Sequence, residues 1–278
     1  MGGFVRTVVI TGASDGIGAA ASALLASDDV RLVLVGRSPT KLKAVAERVG
    51  AEHHAADFTH LDDVRDLANT LNASLDRIDV LANNAGGIFA GPVKTADGFE
   101  KTFQVNHLAP FLLTHLLLDR LIESRAAVVA TSSVGARLFG HIDFDDLQNW
   151  RNFHPRKAYG DAKLANILFT KELHRRFHAQ GLSAVAFHPG NIATNFAAEK
   201  RTGFNRIYHG PLSAVLASPK TGGANLAHFI AGTPGQDWQS GEYYGSHRKI
   251  TRTNPQASDP TIIARHWRQT EHLLFPPP

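Results

Sequence analysis

Apolar runs rich in β-branched residues recur along the chain at residues 5–10, 31–35, 79–82, 127–130 and 183–187, with a weaker run at 51–57. Between them the apolar spacing turns helical. Ser38-Pro39 supplies a cap and a first-turn proline for a helix that Gly50 closes. Thr59 is placed to cap the next, which runs to about residue 74. Further helices are predicted over about 97–121 and about 157–178, the last ended by Gly181. Strand–helix alternation of this kind predicts an α/β fold whose parallel sheet is flanked by helices on both faces. Right-handed crossovers then make it a single Rossmann-type, doubly wound sheet. No linker or internal repeat divides the 278 residues, so one domain over 1–278 is expected. Two stretches break the rhythm: 135–155 reads as an insertion, and 191–219 as a substrate lid. Both follow the C-terminal ends of strands, the edge at which open α/β sheets bind ligands.

Composition narrows the picture. Hydrophobic residues make up 43% of the chain, enough for a substantial core. Cysteine is absent, which excludes disulfides, thiolate metal sites and cysteine nucleophiles and makes a cytoplasmic protein the expectation. No 18-residue apolar run and no signal-peptide pattern stands in the sequence, so no membrane span is expected. The net charge of +4 comes from scattered bases rather than a basic arm, which argues against a nucleic-acid partner. His53-His54 lacks a ligand spacing, and neighbours on a strand point to opposite faces, so no metal is expected. No GxSxG elbow is present, which removes one hydrolase class.

Chemistry concentrates in a few stretches. "TGASDGIGAA", residues 11–20, follows the first apolar run and spaces Gly12, Gly16 and Gly18 as GxxxGxG. Glycines let a chain turn tightly and approach a ligand, and a helix N-terminus offers free N–H groups to a pyrophosphate. A plain glycine-rich turn would look similar. The second run ends Leu34-Val35-Gly36-Arg37-Ser38, with no acid to bond ribose hydroxyls; an arginine there pairs with a 2′-phosphate, which favours NADP(H) over NAD(H). Asp57-Phe58 and Asn83-Asn84-Ala85-Gly86 follow the third and fourth runs. Asp57 is either an acceptor for an adenine amino group or a helix cap. Asn83 and Asn84 also serve as turn formers, and Gly86 lets the chain pass a nucleotide. Tyr159 and Lys163, four apart, share one helical face. An ammonium beside a phenol lowers its pKa toward useful acid–base range. Thr131-Ser132-Ser133 brings hydroxyls to the ligand edge of the fifth run.

Taken in order, TGxxxGxG, NNAG, a serine after the fifth strand, YxxxK and Pro-Gly resemble the short-chain dehydrogenase/reductase family. The stretches "DGFEKTFQVNHLAPFLLT" (97–114), "YGDAKLANILFTKEL" (159–173), "HPGNIAT" (188–194) and "SGEYY" (240–244) are similar to its retinol-dehydrogenase and carbonyl-reductase branch. The resemblance implies Tyr159 as general acid/base, Lys163 as the group that tunes it and holds a ribose, and Ser133, rather than Ser132, on the substrate oxygen. Asn106 would support a proton relay through water to Lys163. Gly12, Ser14, Gly16, Ile17 and Gly18 would surround the pyrophosphate and adenosine ribose, and Asp57 and Phe58 would flank the adenine. Asn83, Ala85 and Gly86 would line the nucleotide; Pro189, Gly190, Ile192 and Thr194 would meet the nicotinamide end. Ser133 lies 26 positions before Tyr159, about twice the usual family separation, as in that branch. A small-molecule carbonyl/alcohol substrate follows, and Phe139, Phe144, Trp150, Phe153, Phe196, Phe204 and Tyr208 in the irregular stretches favour a bulky lipophilic one. Lys200, Arg201 and Arg206 would equally greet an anion. The helix over 157–178 is apolar around much of its circumference, which in this family implies a subunit contact in a homodimer or homotetramer. The rival readings are an alcohol dehydrogenase working oxidatively and a non-catalytic NADP sensor on the same fold.

Overall fold

The computed structural model describes residues 5–190 and 218–276. Seven parallel strands form one sheet in the order β3-β2-β1-β4-β5-β6-β7. They are β1 (Arg6–Thr11), β2 (Val30–Gly36), β3 (Glu52–Ala55), β4 (Val80–Asn83), β5 (Ala127–Thr131), β6 (Ser183–Phe187) and β7 (Tyr243–Tyr244). The order reverses between β3-β2-β1 and β4, which opens a crevice at the strands' carboxyl ends. Alternate residues serve opposite layers. Val9, Val33, Leu81 and Val128 enter one core, while Val8, Ile10, Leu34 and Val129 enter the other.

Helices α1 (Gly16–Leu25), α2 (Pro39–Val49) and α3 (Leu61–Ser74) alternate with the first strands. Gly50 closes α2 in the left-handed region at φ +67°, as its position predicts. The cap expected from Thr59 is not made. Its hydroxyl turns back to Asp57 Oδ1, and the first amide of α3, on Leu61, is met by Asp97 Oδ2 at 2.9 Å. That cap comes from 36 residues away, so local pattern could not reveal it.

The helix expected over 97–121 is interrupted. Asp97 lies before it, Gly98 turns at φ +87°, and Glu100 caps α4 (Lys101–Phe103). A wide π turn, Gln104–Leu108, carries Asn106 and leads into α5 (Ala109–Leu116) and α6 (Leu118–Glu123). After β5 come the short α7 (Gly135–Leu138) and an irregular stretch, then α8 (Pro155–Phe177). Among the described residues the remaining α-helices are α9 (Pro219–Ala231) and α10 (Pro260–Leu274).

α10 changes the reading of α8. From Ala158 to Thr170 every residue of α8 is buried. Trp267 of α10 stacks on Phe169 at 5.6 Å and lies under the Arg176 guanidinium. His107 of the π turn bridges Asn166 of α8 and Thr270 of α10, each at 3.2 Å. The apolar circumference between Ala158 and Thr170 is therefore buried within the chain itself.

Candidate active site

The glycine loop fits a dinucleotide phosphate. Gly12 sits at φ +67°, and a Cβ there would lie 2.8 Å from Ala85 Cα. A Cβ on Gly18 would lie 2.3 Å from the Gly12 carbonyl oxygen. Helix α1, the glycine loop and the segment after β4 thus approach more closely than side chains allow. Gly16 begins α1 at φ +55°, and Asp15 caps it through the Gly16 amide at 2.7 Å. Ser14 packs on Gly36 at the end of β2, and Ile17 is half-buried. Arg37 is exposed beside this loop and makes no ion pair or hydrogen bond among the described residues. Lys41 reaches Asp15 at 3.4 Å, both groups largely exposed.

Two side chains fit their expected cofactor roles less well. Phe58 is buried in the core, and its carbonyl accepts from Gln104 at 3.2 Å. Asn83 turns its amide into the sheet layer, donating to Thr114 at 2.9 Å, with Oδ1 left without a partner. Asp57 Oδ1 accepts from Thr59 in a local turn. Ile192, Thr194 and nearly all of the 191–219 lid lie outside the described residues.

Asn84, which the sequence offered only as a turn former, holds the crevice together. Its Nδ2 donates to Thr11 O at 3.0 Å, its Oδ1 accepts from Thr131 at 3.1 Å, and its amide donates to Thr11 Oγ1. The ends of β1, β4 and β5 are tied through this one side chain.

The catalytic candidates converge. Gly135 stands between Ser133 and Tyr159: its notional Cβ lies 3.3 Å from both Ser133 Oγ and Tyr159 Cε1. Ser133 Oγ accepts from the Gly135 amide at 3.0 Å, leaving its proton to donate elsewhere. Ser132 is buried and spends its hydroxyl on Lys163 O at 2.7 Å, so geometry separates the two serines. Lys163 is fully buried, lies 5.7 Å from the centre of the Tyr159 ring, and donates to Thr131 O at 3.1 Å. Burial lowers its ammonium to about 7. Asn106 is held by Gly87 O at 2.9 Å, Thr102 O at 2.8 Å and the Gly87 amide at 3.1 Å. Both of its N–H protons are used, while Oδ1 keeps one lone pair facing Gly86, where Lys163 Nζ also points. Pro189 is buried and Gly190 turns at φ +110° after β6, beside His188, whose ring burial holds down to about 4.

The stretch from 135 to 155 is fastened to the catalytic helix. Asp161, two residues from Tyr159, accepts from the His141 amide, Asn149 Nδ2 and Lys157 Nζ at 2.6, 2.9 and 2.5 Å. Gly160 lets residues 139–140 lie on the helix; a Cβ there would be 2.8 Å from the Gly140 nitrogen. Phe144 and Phe153 pack this stretch down, against Arg265 and Gly91, while Leu138, Phe139 and Trp150 stay exposed.

This geometry stands beside a direct match in sequence: the family model described as short chain dehydrogenase covers residues 6–204. The chain belongs to the short chain dehydrogenase family. The "Putative daunorubicin C-13 ketoreductase DnrU" of Streptomyces sp. (strain C5) is 38% identical over 94% of this chain and 90% of its own. Human retinol dehydrogenase 13 is 35% identical over 97% of this chain and 84% of its own. A crystal structure of an uncharacterized Mycobacterium paratuberculosis protein superposes with a TM-score of 0.77 at 32% identity, over 98% of this chain and 94% of that one. These relatives place the chain in the retinol-dehydrogenase-like branch of an oxidoreductase family that uses nicotinamide cofactors.

Proposed function

We propose that the protein is an NADP(H)-dependent oxidoreductase that interconverts a ketone or aldehyde with its alcohol, with Tyr159 as the general acid/base. The observation that carries this reading is the convergence of Ser133 Oγ and the Tyr159 ring on Gly135, with the buried Lys163 ammonium against that ring. A nicotinamide cofactor bound at the glycine loop supplies the hydride for reduction or accepts it in the reverse direction.

The chain's own groups do the rest. Tyr159 donates its phenolic proton to the substrate oxygen as that oxygen gains charge, and Ser133 donates a hydrogen bond to the same atom. A free phenol, with a pKa of roughly 10, is poorly matched to this task near neutrality. The Lys163 cation favours the phenolate and improves the match. Held near 7 itself, Lys163 is poised to pass a proton onward to water, and the free Asn106 Oδ1 lone pair is placed to accept a hydrogen bond from such a water and hold it in position. Arg37 supports NADP(H): it is exposed, without a partner among the described residues, at a strand end that carries no acid. Exposed Leu138 and Phe139, just after Ser133, support a bulky apolar substrate body. A relative named as a ketoreductase and others named as retinol dehydrogenases support a carbonyl/alcohol pair.

Tyr159→Phe tests the assignment. Removing a positioned proton donor typically costs about 10²- to 10⁴-fold. The variant is expected to lose at least a hundredfold in kcat on an aromatic ketone while binding NADPH as before. Retention of most turnover rejects Tyr159 as the acid.

A further inference from the structure

Beside the catalytic edge lies a cavity of about 270 Å³. Val134, which follows Ser133, forms one wall; Arg137, His188, Tyr243, His247, Lys249 and Arg252 form much of the rest. None of its described lining residues is acidic. Arg137, Lys249 and Arg252 make no ion pair and no side-chain hydrogen bond among the described residues. Some arginines elsewhere do meet carboxylates: Arg31 with Glu52, Arg77 with Asp79, Arg175 and Arg176 with Glu172. Three unpaired cations around one concavity repel each other and raise the local potential for an anion.

The wall is a built structure rather than a trailing loop. Tyr244 bridges Ile250 antiparallel, Gly245 N donates to Lys249 O at 2.9 Å, and Thr251 N to Tyr243 O at 3.1 Å. Arg248, at φ +57°, turns outward to Asn225 Oδ1 and Ala224 O, at 3.0 and 3.2 Å. This turn leaves His247 and Lys249, on either side of it, as cavity lining. Asn225 also donates to Ser246 O and Pro189 O, both at 3.1 Å, which couples the hairpin to the segment after β6. The cavity is smaller than the roughly 300–1,000 Å³ of a pocket for a whole drug-sized ligand, and suits one end of a substrate.

We propose that this cavity is an anion subsite, and that the substrate carries a carboxylate or similar negative group remote from its reacting carbonyl, seated against Arg137, Lys249 and Arg252. The proposal rests on the oxidoreductase reading above and adds to it an amphipathic substrate: an apolar body with a charged end. Arg137 is the cation nearest the chemistry, four residues from Ser133, and its charge pulls on the buried Tyr243 phenol across the same space.

The test compares 4-oxo-4-phenylbutanoate with its methyl ester, under NADPH, in the wild type and in Arg137→Gln/Arg252→Gln. Charge-assisted hydrogen bonds of this kind translate into about ten- to a hundredfold in affinity. The wild type is expected to show a KM at least tenfold lower for the acid. The double variant is expected to bring the two together by raising only the acid's KM, with the ester's kcat and KM kept. Equal KM values in the wild type, or an equal loss on both probes in the variant, overturn the proposal. Turnover of the ester that depends on Tyr159 keeps the oxidoreductase reading alive in that event. If neither probe is turned over, calorimetric titration with the acid decides: binding lost in the double variant supports the subsite, and no binding to the wild type refutes it.

Discussion

Gly86→Ala puts the smallest side chain at the centre of the site. Its Cβ would lie 2.5 Å from Asn106 Oδ1 and 3.1 Å from Lys163 Nζ. Carbon and oxygen normally rest at about 3.3–3.6 Å, so the methyl is about 1 Å too close. Asn106 has nowhere to retreat. It is fully buried, and moving its amide strains three hydrogen bonds, to Gly87 twice and to Thr102. Overpacking a tight interior typically costs about 1–3 kcal/mol, and leaving one buried amide group unpaired costs about as much again. A loss of about 2–6 kcal/mol in unfolding free energy is therefore expected by urea titration. The functional loss is expected to exceed the stability loss, because the neighbour that yields most easily is the flexible end of Lys163. A catalytic group displaced by about 1 Å commonly costs on the order of a hundredfold. The expected result is a kcat at most one-hundredth of wild type at a temperature where circular dichroism reports full folding. The control is Gly50→Ala, with φ +67° and nothing within 4 Å of its notional Cβ. It bears only backbone strain, of order 1 kcal/mol, with kcat unchanged. A Gly86→Ala variant with wild-type kcat and stability refutes the idea that Gly86, Asn106 and Lys163 share one tightly packed point.

Three further outcomes are expected. Arg37→Gln should raise the NADPH dissociation constant by about tenfold or more and leave that of NADH nearly unchanged in a fluorescence titration; an unaltered ratio rejects NADP(H) selection by Arg37. His107 is held neutral by burial, its pKa lowered from 6.5 to about 4, so between those values the unfolded chain binds the extra proton. Its contribution to stability is full above pH 6.5 and is lost as the pH falls, by about 1.4 kcal/mol per unit and about 3 kcal/mol in all. His266, 4.8 Å away, shifts in the same direction. Urea titrations from pH 7 to 4 should give a shallower slope in His107→Gln, and parallel profiles contradict the assignment. Asp161→Asn removes the carboxylate that gathers His141, Asn149 and Lys157, and should cost about 2–3 kcal/mol and speed proteolysis within 141–151. An unchanged cleavage rate would mean that the stretch is held by other contacts.

The doubly wound sheet was legible because each buried strand is a continuous apolar run, and each helix between them keeps its period. β1, β2, β4, β5 and β6 lie within about a residue of their expected bounds. β7 was not legible, since two residues, Tyr243-Tyr244, carry no period. α10 went unread although Asp259-Pro260 is a cap followed by a first-turn proline, and Asp259 does accept from Thr261 N and Ile262 N. With α10 missing, the apolar circumference of α8 looked like a surface awaiting a partner. The π turn was hidden for a different reason. Its residues have helical composition, and what widens it is tertiary: Gln104 is drawn to Phe58 O and Asp97, and His107 to Asn166 and Thr270.

The same distinction runs through the site. Tyr159, Lys163 and the glycines could be proposed from the sequence because the chemistry argued for them rests on spacing: four residues for a shared helical face, short steps for a cradle. Of the residues that hold them in place, the sequence names Asn106 through the family resemblance alone, offers Asn84 only as a turn former and gives Asp161 no role, because their work is done at long range. Asn84 joins three strand ends, Asn106 joins the π turn to the loop after β4, and Asp161 joins the catalytic helix to a stretch that begins some twenty residues earlier. Asn106 and Asp161 are buried and Asn84 is half-buried, and for polar groups withdrawn from water loss of a partner costs more than its making contributes. That asymmetry gives these three positions little tolerance for change. The lining of the basic cavity has none of it: Arg137, Lys249 and Arg252 are exposed, and their side chains make no hydrogen bond or ion pair among the described residues. They are free to change without cost to the fold, so substitutions there separate substrate choice from stability.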